Sequence, residues 1–218
     1  MVKLLLSDYQ RSKEDNQSDD VFYSQPRFTH HLDPSFRNHL TDQYREIIEQ
    51  ESSILDLMSS WVSHLPKEKK YKHVIGHGLN KQELSVNKSL NSYFIQNLNT
   101  NYHLPFKDDT FDYCLIVAGW QYLQFPEPIS SELSRITVNG GKLLISFTNR
   151  AFWTKASRIW VESTDFERIK YISNVVECNG WNVDHVIQKD TSKMQFSLFP
   201  LSNDPFYSVI SNNLKITN

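Results

Sequence analysis

The sequence predicts an α/β protein: a three-layer, doubly wound, mostly parallel sheet of about seven strands with an antiparallel C-terminal edge strand. Three observations predict it. Short apolar runs alternate with segments of helical period between Ser53 and Phe147, the trace that parallel βαβ units leave in a sequence. The connections between them are short. After Phe147 the rhythm changes, and two helical stretches precede the apolar runs Trp181–Gln188 and Phe206–Ser211, which read as a closing antiparallel pair.

In chain order, Pro34 to Glu51 reads as a helix, because Phe36, Leu40, Tyr44 and Ile47 or Ile48 recur at helical spacing. Ser53–Leu57 is a short buried strand. Trp61 to Leu65 begins a short helix or turn, stopped by Pro66 and the charged run Lys67–Lys70. Lys72–Gly76 is a second strand, Asn80–Leu90 a helix and Tyr93–Gln96 a third strand. Phe111–Val117 is apolar enough to be central. Pro128–Ile136 is a helix with Ile129, Leu133 and Ile136 on one face. Gly140-Gly141 turns the chain into a fifth strand, Lys142–Phe147. The two late helices lie around Lys155–Trp160 and Asp165–Asn179. Ahead of all this, Gln10 to Asp20 is polar without period and reads as a mobile linker. Val21 to Asp33 carries Phe22, Tyr23, Pro26 and Phe28 and suits an irregular arm packed on a domain. The expected organisation is a mobile N-terminal segment over residues 1–20, an arm and helix over the ligand mouth at 21–52, and an α/β domain at 53–218.

Composition narrows the function. Apolar residues make up 39% and aromatic residues 13% of the chain, which is enough to build an ordered core. Net charge is −2 with eight neutral histidines. That balance gives no electrostatic footprint for nucleic acid or an anionic membrane. Cys114 and Cys178 have no metal-ligand spacing and indicate no disulfide framework. His73 and His77, four apart on a strand, do not make a metal site. No signal peptide or membrane span is apparent, so a soluble, cytoplasmic protein is expected.

In an open parallel sheet, ligands bind beyond the carboxyl ends of the strands. The first such turn, Met58-Ser59-Ser60, contains no glycine, although a close backbone approach to a ligand favours one. The second strand ends Gly76-His77-Gly78-Leu79-Asn80, with no carboxylate before Glu83. Asn80 can hydrogen-bond a ribose, but at about 0.5–1.5 kcal/mol rather than the about 1.5–3 of a charged partner. It is also a natural helix N-cap.

These residues carry a family resemblance. The order Ile54-Leu55-Asp56-Leu57, then Leu104-Pro105-Phe106-Lys107-Asp108-Asp109-Thr110-Phe111-Asp112, Gln121-Tyr122-Leu123 and Gly140-Gly141-Lys142-Leu143-Leu144-Ile145 resembles class I S-adenosylmethionine-dependent methyltransferases, which have a Rossmann-like sheet. More narrowly, Phe22-Tyr23-Ser24-Gln25-Pro26-Arg27-Phe28, Leu55 to His64, Gly76 to Asn80 and Ser146 to Arg150 look like a bacterial branch of that superfamily with an atypical, glycine-poor first loop. The resemblance implies S-adenosylmethionine as cofactor. It places Asp56, Met58, Ser59 and Ser60 at the methionine end, Gly78 and Asn80 at the ribose, Asn97 and Leu98 at the adenine, and Ala118 and Gly119 at the sulfonium. It sets Gln121 and Tyr122 toward a small-molecule acceptor.

Methyl transfer needs alignment first and a general base only when the acceptor must lose a proton. Candidate bases are His31, His64 and Tyr122, with His30 beside them. Candidate substrate contacts are Tyr23, Arg27, Trp120, Gln121 and Arg150. Lys155 is a further anion holder, and Phe22, Phe28, Phe152 and Trp153 are aromatic walls. Two other readings stay open: a catalytically inactive, methyltransferase-like binding module, and a domain that binds another nucleotide. Oligomeric state is open as well.

Overall fold

The computed structural model describes residues 2–189 and 204–215. Among them seven strands form one sheet: β1 (Ser53–Leu57), β2 (His73–Gly78), β3 (Ser92–Ile95), β4 (Phe111–Val117), β5 (Thr137–Phe147), β6 (Asn182–Lys189) and β7 (Phe206–Asn212). Their order in space is β3-β2-β1-β4-β5-β7-β6. β1 pairs in parallel with β2 on one side and β4 on the other, Leu55 standing opposite both Ile75 and Cys114. The chain therefore runs outward from β1 to β3, then returns to the other side of β1. This reversal is the topological switch point, and the crevice above it is where such sheets bind ligands. The antiparallel strand β7 inserts between β5 and β6, so that β6 forms the edge.

Helices cover both faces. They are α1 (Asp8–Arg11), α2 (Asp19–Phe22), α3 (Pro34–Ile47), α4 (Lys81–Val86), α5 (Pro126–Ile136), α6 (Arg158–Glu162) and α7 (Asp165–Glu177). The apolar stripe of α3, Phe36, Leu40 and Tyr44, is buried on one face with Ile54, Leu115 and Leu144. Ile129 and Leu133 of α5 and Ile172 and Val176 of α7 are buried on the other with Leu55, Ile116 and Ile145. Alternate residues of β1, β4 and β5 thus feed the two layers, as the period of a strand requires.

Three expectations are corrected. Gly140-Gly141 does not turn the chain into the fifth strand: β5 already begins at Thr137, and the pair lies within it, at the irregularity where its register with β4 passes from Thr137 to Lys142. The segment after β1 forms no helix: residues 58–72 are irregular, and Met58 and His64 take left-handed backbone at φ 58° and 55°. The crossover from β1 to β2 lacks the helix that a βαβ unit usually carries. The polar segment expected to be mobile is docked. Ser7 and Gln10 cap α1 reciprocally. Arg11 reaches Glu127 of α5 with both nitrogens, at 2.8 and 2.7 Å, and Lys13 holds Asp19. Lys13 also bridges to Ser157 as a short antiparallel contact. Its order comes from buried ion pairs between distant residues, which leave no apolar period to read.

Candidate ligand site

The carboxyl ends of β1, β2, β3 and β4 open into a cavity of about 420 Å³, within the usual range for small-molecule sites. Its floor is the loop after β1. That loop is fastened to the end of β2: Met58 N–H donates to Nδ1 of His77 at 3.1 Å, and Ser59 N–H donates to the His77 carbonyl at 2.6 Å. The other ring nitrogen of His77 meets the Gln96 carbonyl at 2.8 Å. Burial drives the His77 imidazole down to about 4. A neutral ring with its proton on Nε2 satisfies both contacts.

The glycine missing from the loop is found opposite it. A Cβ on Gly78 would stand 2.6 Å from the Ser59 carbonyl, and one on Gly119 would stand 2.9 Å from Cβ of Met58. Close approach is thus provided by the neighbouring strand ends rather than by the loop. The cost shifts to backbone strain. Met58, His64 and Ala118 line the cavity with positive φ, three of the five such non-glycine residues described. Each costs on the order of 1–3 kcal/mol, and such residues cluster at ligand sites.

All ten positions expected at the cofactor, from Asp56 to Gly119, line this cavity. Asp56 is buried; burial raises its carboxyl to about 6, against the hydroxyls of Ser59 and Ser63. Ser59 donates to it at 2.6 Å. Asn80 is spoken for on both sides. Its Oδ1 caps α4 through Gln82 and Glu83 N–H, and its Nδ2 donates to the Tyr23 carbonyl at 2.8 Å. Asn97 is held likewise, by Asp20 and by Asn99 N–H. Both N–H groups of the Asn80 amide are engaged, the second by the Ser24 carbonyl at 3.2 Å, whereas Asn97 keeps one N–H and one oxygen lone pair without a partner among the described residues. Leu98 is buried and offers an apolar surface.

The arm forms the roof. Arg27 N–H donates to Oε1 of Glu83, whose Oε2 accepts the Ser60 hydroxyl. The Arg27 guanidinium lies over the rings of Phe22, Tyr23 and Phe152, 4.6, 5.7 and 5.6 Å from their centroids. These aromatics therefore enclose Arg27, not a planar acceptor. Tyr23, Gln121 and Arg150 also line the cavity, Arg150 paired with Asp204. Trp120 does not: it is wholly buried in the core. It opens a 3₁₀ turn, Trp120–Tyr122, whose successive side chains point about 120° apart. Trp120 turns inward, and Gln121 and Tyr122 reach the cavity. Lys155 is buried under the arm, against Asp15 and the Gln17 carbonyl, not in the site.

The three candidate bases are present. Burial raises the Tyr122 phenol, which accepts from Phe152 N–H at 3.0 Å. Burial lowers His31 and takes His64 down to about 4, with His30 and Arg37 adding to the latter. Both imidazoles are neutral at pH 7. Gln121 is 1% exposed and its Oε1 has no hydrogen-bond partner. Sequence reasoning missed Arg37 and Glu83 in this wall, while Asn99 falls in the turn after the third strand, Asn97 to Asn99, where a ligand contact was expected. Glu83 would have followed from taking polar residues one helical turn past each strand end.

A family model described as "Methionine biosynthesis protein MetW" matches residues 39–166, which span β1 to β5 and all the strand ends around the cavity. The chain belongs to the MetW family. It is also similar to a demethylmenaquinone methyltransferase of Streptomyces griseus, 37% identical over 59 residues, or 27% of this chain and 26% of that protein. The match thus spans about a quarter of that relative's length. Among solved structures, it resembles a chain of the Haloferax volcanii complex that contains the Trm112 methyltransferase activator, with a TM-score of 0.61 and 12% identity over 84% of this chain and 92% of the other. An S-adenosylmethionine-dependent methyltransferase of Mesorhizobium loti gives a TM-score of 0.56 and 16% identity, covering 78% of this chain and 96% of the other. The fold is that of class I methyltransferases.

Proposed function

We propose that the chain is an S-adenosylmethionine-dependent methyltransferase acting on a small-molecule acceptor. One observation carries the reading: the ten residues carried over from methyltransferases converge on a single cavity at the switch point of the sheet. The donor set fits the cofactor. A buried acid and small residues stand at the methionine end, an apolar Leu98 at the adenine end, and Gly78 and Gly119 allow close packing. The cofactor supplies an activated methyl group on a sulfonium. The chain supplies alignment, exclusion of water and, where the acceptor requires it, a base. Gln121 Oε1, buried and unpartnered, is placed to accept an N–H or O–H of the acceptor and orient it. His64 and His31, both neutral, are the groups able to take its proton; Tyr122 is not, because its phenol is held protonated.

Calorimetric and thermal-shift titration with S-adenosylmethionine and S-adenosylhomocysteine tests the reading. At a hundredfold excess over Kd, stability should rise by about 2.7 kcal/mol. Absence of a shift at millimolar ligand sinks it. A second reading, a binding module without catalysis, draws support from Asn80 and Asn97, whose amides serve the protein's own arm. Binding of S-adenosylhomocysteine by the parent chain together with no methylation of a cell-extract metabolite pool supplied with S-adenosylmethionine would favour that second reading.

A further inference from the structure

The loop after β1 is a poor place to hold an anion. No helix follows it, so the loop itself brings no helix N-terminus to the cavity. The N–H groups of Met58 and Ser59 are taken by His77. Yet the cavity wall opposite carries cations from the arm and from α3. Arg27, Arg37 and Arg150 line it. Arg150 is paired with Asp204. Arg27 and Arg37 form no ion pair among the described residues. Arg27 Nη2 donates to the Phe22 carbonyl at 3.0 Å, while its Nη1 is buried with no partner at all. Arg37 donates only from Nε, to the Asp33 carbonyl at 3.3 Å. A guanidinium N–H left unpaired under protein is costly. The carboxylates of the wall do not compensate for it: Asp19 is held by Lys13 and Asn99, Asp56 by Ser59, and Glu83 by Ser60 and the Arg27 backbone.

We propose that Arg27 and Arg37 form an oxyanion site in the roof of the cavity, which takes a carboxylate or phosphate group of a small ligand. The site adds side-chain donors from the N-terminal arm and α3 to a cavity where the loop after β1 has its first two N–H groups, Met58 and Ser59, taken by His77. Planar guanidinium forks suit both anions. The anion can be the carboxylate of the methyl donor's amino-acid end or an acidic group of the acceptor. The inference rests on the cavity being the ligand site, as proposed above, and its test is separable from that of the cofactor.

Inorganic phosphate is titrated calorimetrically into the full chain, with sodium chloride at matched ionic strength as the control. Saturable binding is expected, weakened about tenfold by Arg37→Gln and by Arg27→Gln, the loss of one charge-assisted hydrogen bond. Arg27→Lys, which keeps the charge and the packing stem, should recover part of it and guards against misfolding of the glutamine variant. No saturable binding, or binding undiminished in both glutamine variants, overturns the site. Two nucleoside probes then identify the anion. If the variants weaken S-adenosylhomocysteine but not 5′-methylthioadenosine, which lacks the amino-acid end, the site holds the donor's carboxylate. If both nucleosides bind the variants as they bind the parent, and phosphate still binds the S-adenosylhomocysteine-saturated protein, the site serves an acidic acceptor. Failure of every nucleoside with phosphate binding intact would overturn the methyltransferase reading and leave the oxyanion site standing.

Discussion

Asp56 and His77 stand at the ends of neighbouring strands, both lining the cavity and both buried, one an acid and the other a base. Burial lifts Asp56 to about 6 and lowers His77 to about 4, so both favour their neutral forms. The consequences for stability run in opposite directions. A histidine whose folded value lies below its unfolded 6.5 gives stability that appears as pH rises from about 4 to 6.5, because the unfolded chain binds the extra proton. The displacement from 6.5 to about 4 is worth about 3 kcal/mol. Asp56 does the reverse: its contribution is full below about pH 4 and is lost as pH rises through 6. Urea denaturation across pH 4–7 should therefore show His77→Gln losing about 3 kcal/mol of the gain that the parent acquires over this range. Asp56→Asn should show a steeper gain than the parent, since its opposing loss is gone. A His77 variant parallel to the parent at every pH would refute the role given to that ring. Asp56 was legible in the sequence because it ends an apolar run. His77 was legible as a residue at the end of the second strand, but not its role in fastening the loop, because its partners, Met58 and Gln96, lie 19 residues away on either side.

At the scale of elements, the strands were legible to within two residues, because each is a short apolar run bounded by polar turns, except the start of β5, which extends back through Gly140-Gly141 to Thr137 where no apolar run marks it. The connections were not. Trp61 to Leu65 has the composition of a short helix, but tertiary contacts decide its path: Trp61 Nε1 donates to the Thr29 carbonyl, and the His64 carbonyl accepts from Thr41. Both partners belong to segments that precede the sheet, so no local pattern reports them. Trp120 was misplaced for a related reason, since three residues of a 3₁₀ turn look in three directions. The same packing makes the glycines of the strand ends unequal. Gly78→Ala should cost about 1–3 kcal/mol, because the new methyl would meet the backbone of Ser59 at 2.6 Å. It should weaken S-adenosylhomocysteine as well, by lifting the loop. Gly140→Ala provides the contrast. Gly140 has φ +80° with open space around it, so alanine should cost about 1 kcal/mol of conformational strain and leave the affinity alone. Calorimetry on the two variants separates the cases, and equal affinities would mean that the fit between the loop and β2 does not shape the site.

For the whole molecule, the N-terminal segment is part of the site's construction, though charge and polarity alone read as a linker. Its anchor is Glu127, fully buried, which accepts both Arg11 nitrogens and the N–H groups of Leu5 and Leu6. Burial pushes this carboxyl up, but the Arg11 and backbone hydrogen bonds outweigh it and hold it below the usual range. The anchor therefore gives stability above the ordinary carboxylate pKa that is lost as pH falls through the lowered value. Removing one partner of such a buried pair strands the other, so Glu127→Ala should cost about 3–5 kcal/mol. The cost should not stay local. Farther along the segment, the Tyr23 carbonyl and Arg27 N–H close onto Asn80 and Glu83 at the cavity wall. Glu127 itself does not line the cavity. If the arm acts as one docked unit, freeing it at Glu127 must loosen the roof. Hydrogen exchange of residues 2–31 should quicken in Glu127→Ala, S-adenosylhomocysteine should slow it in the parent, and the variant should bind that ligand more weakly without losing any contact to it. Faster exchange confined to residues 2–15, with ligand affinity unchanged, would show instead that anchor and roof are independent.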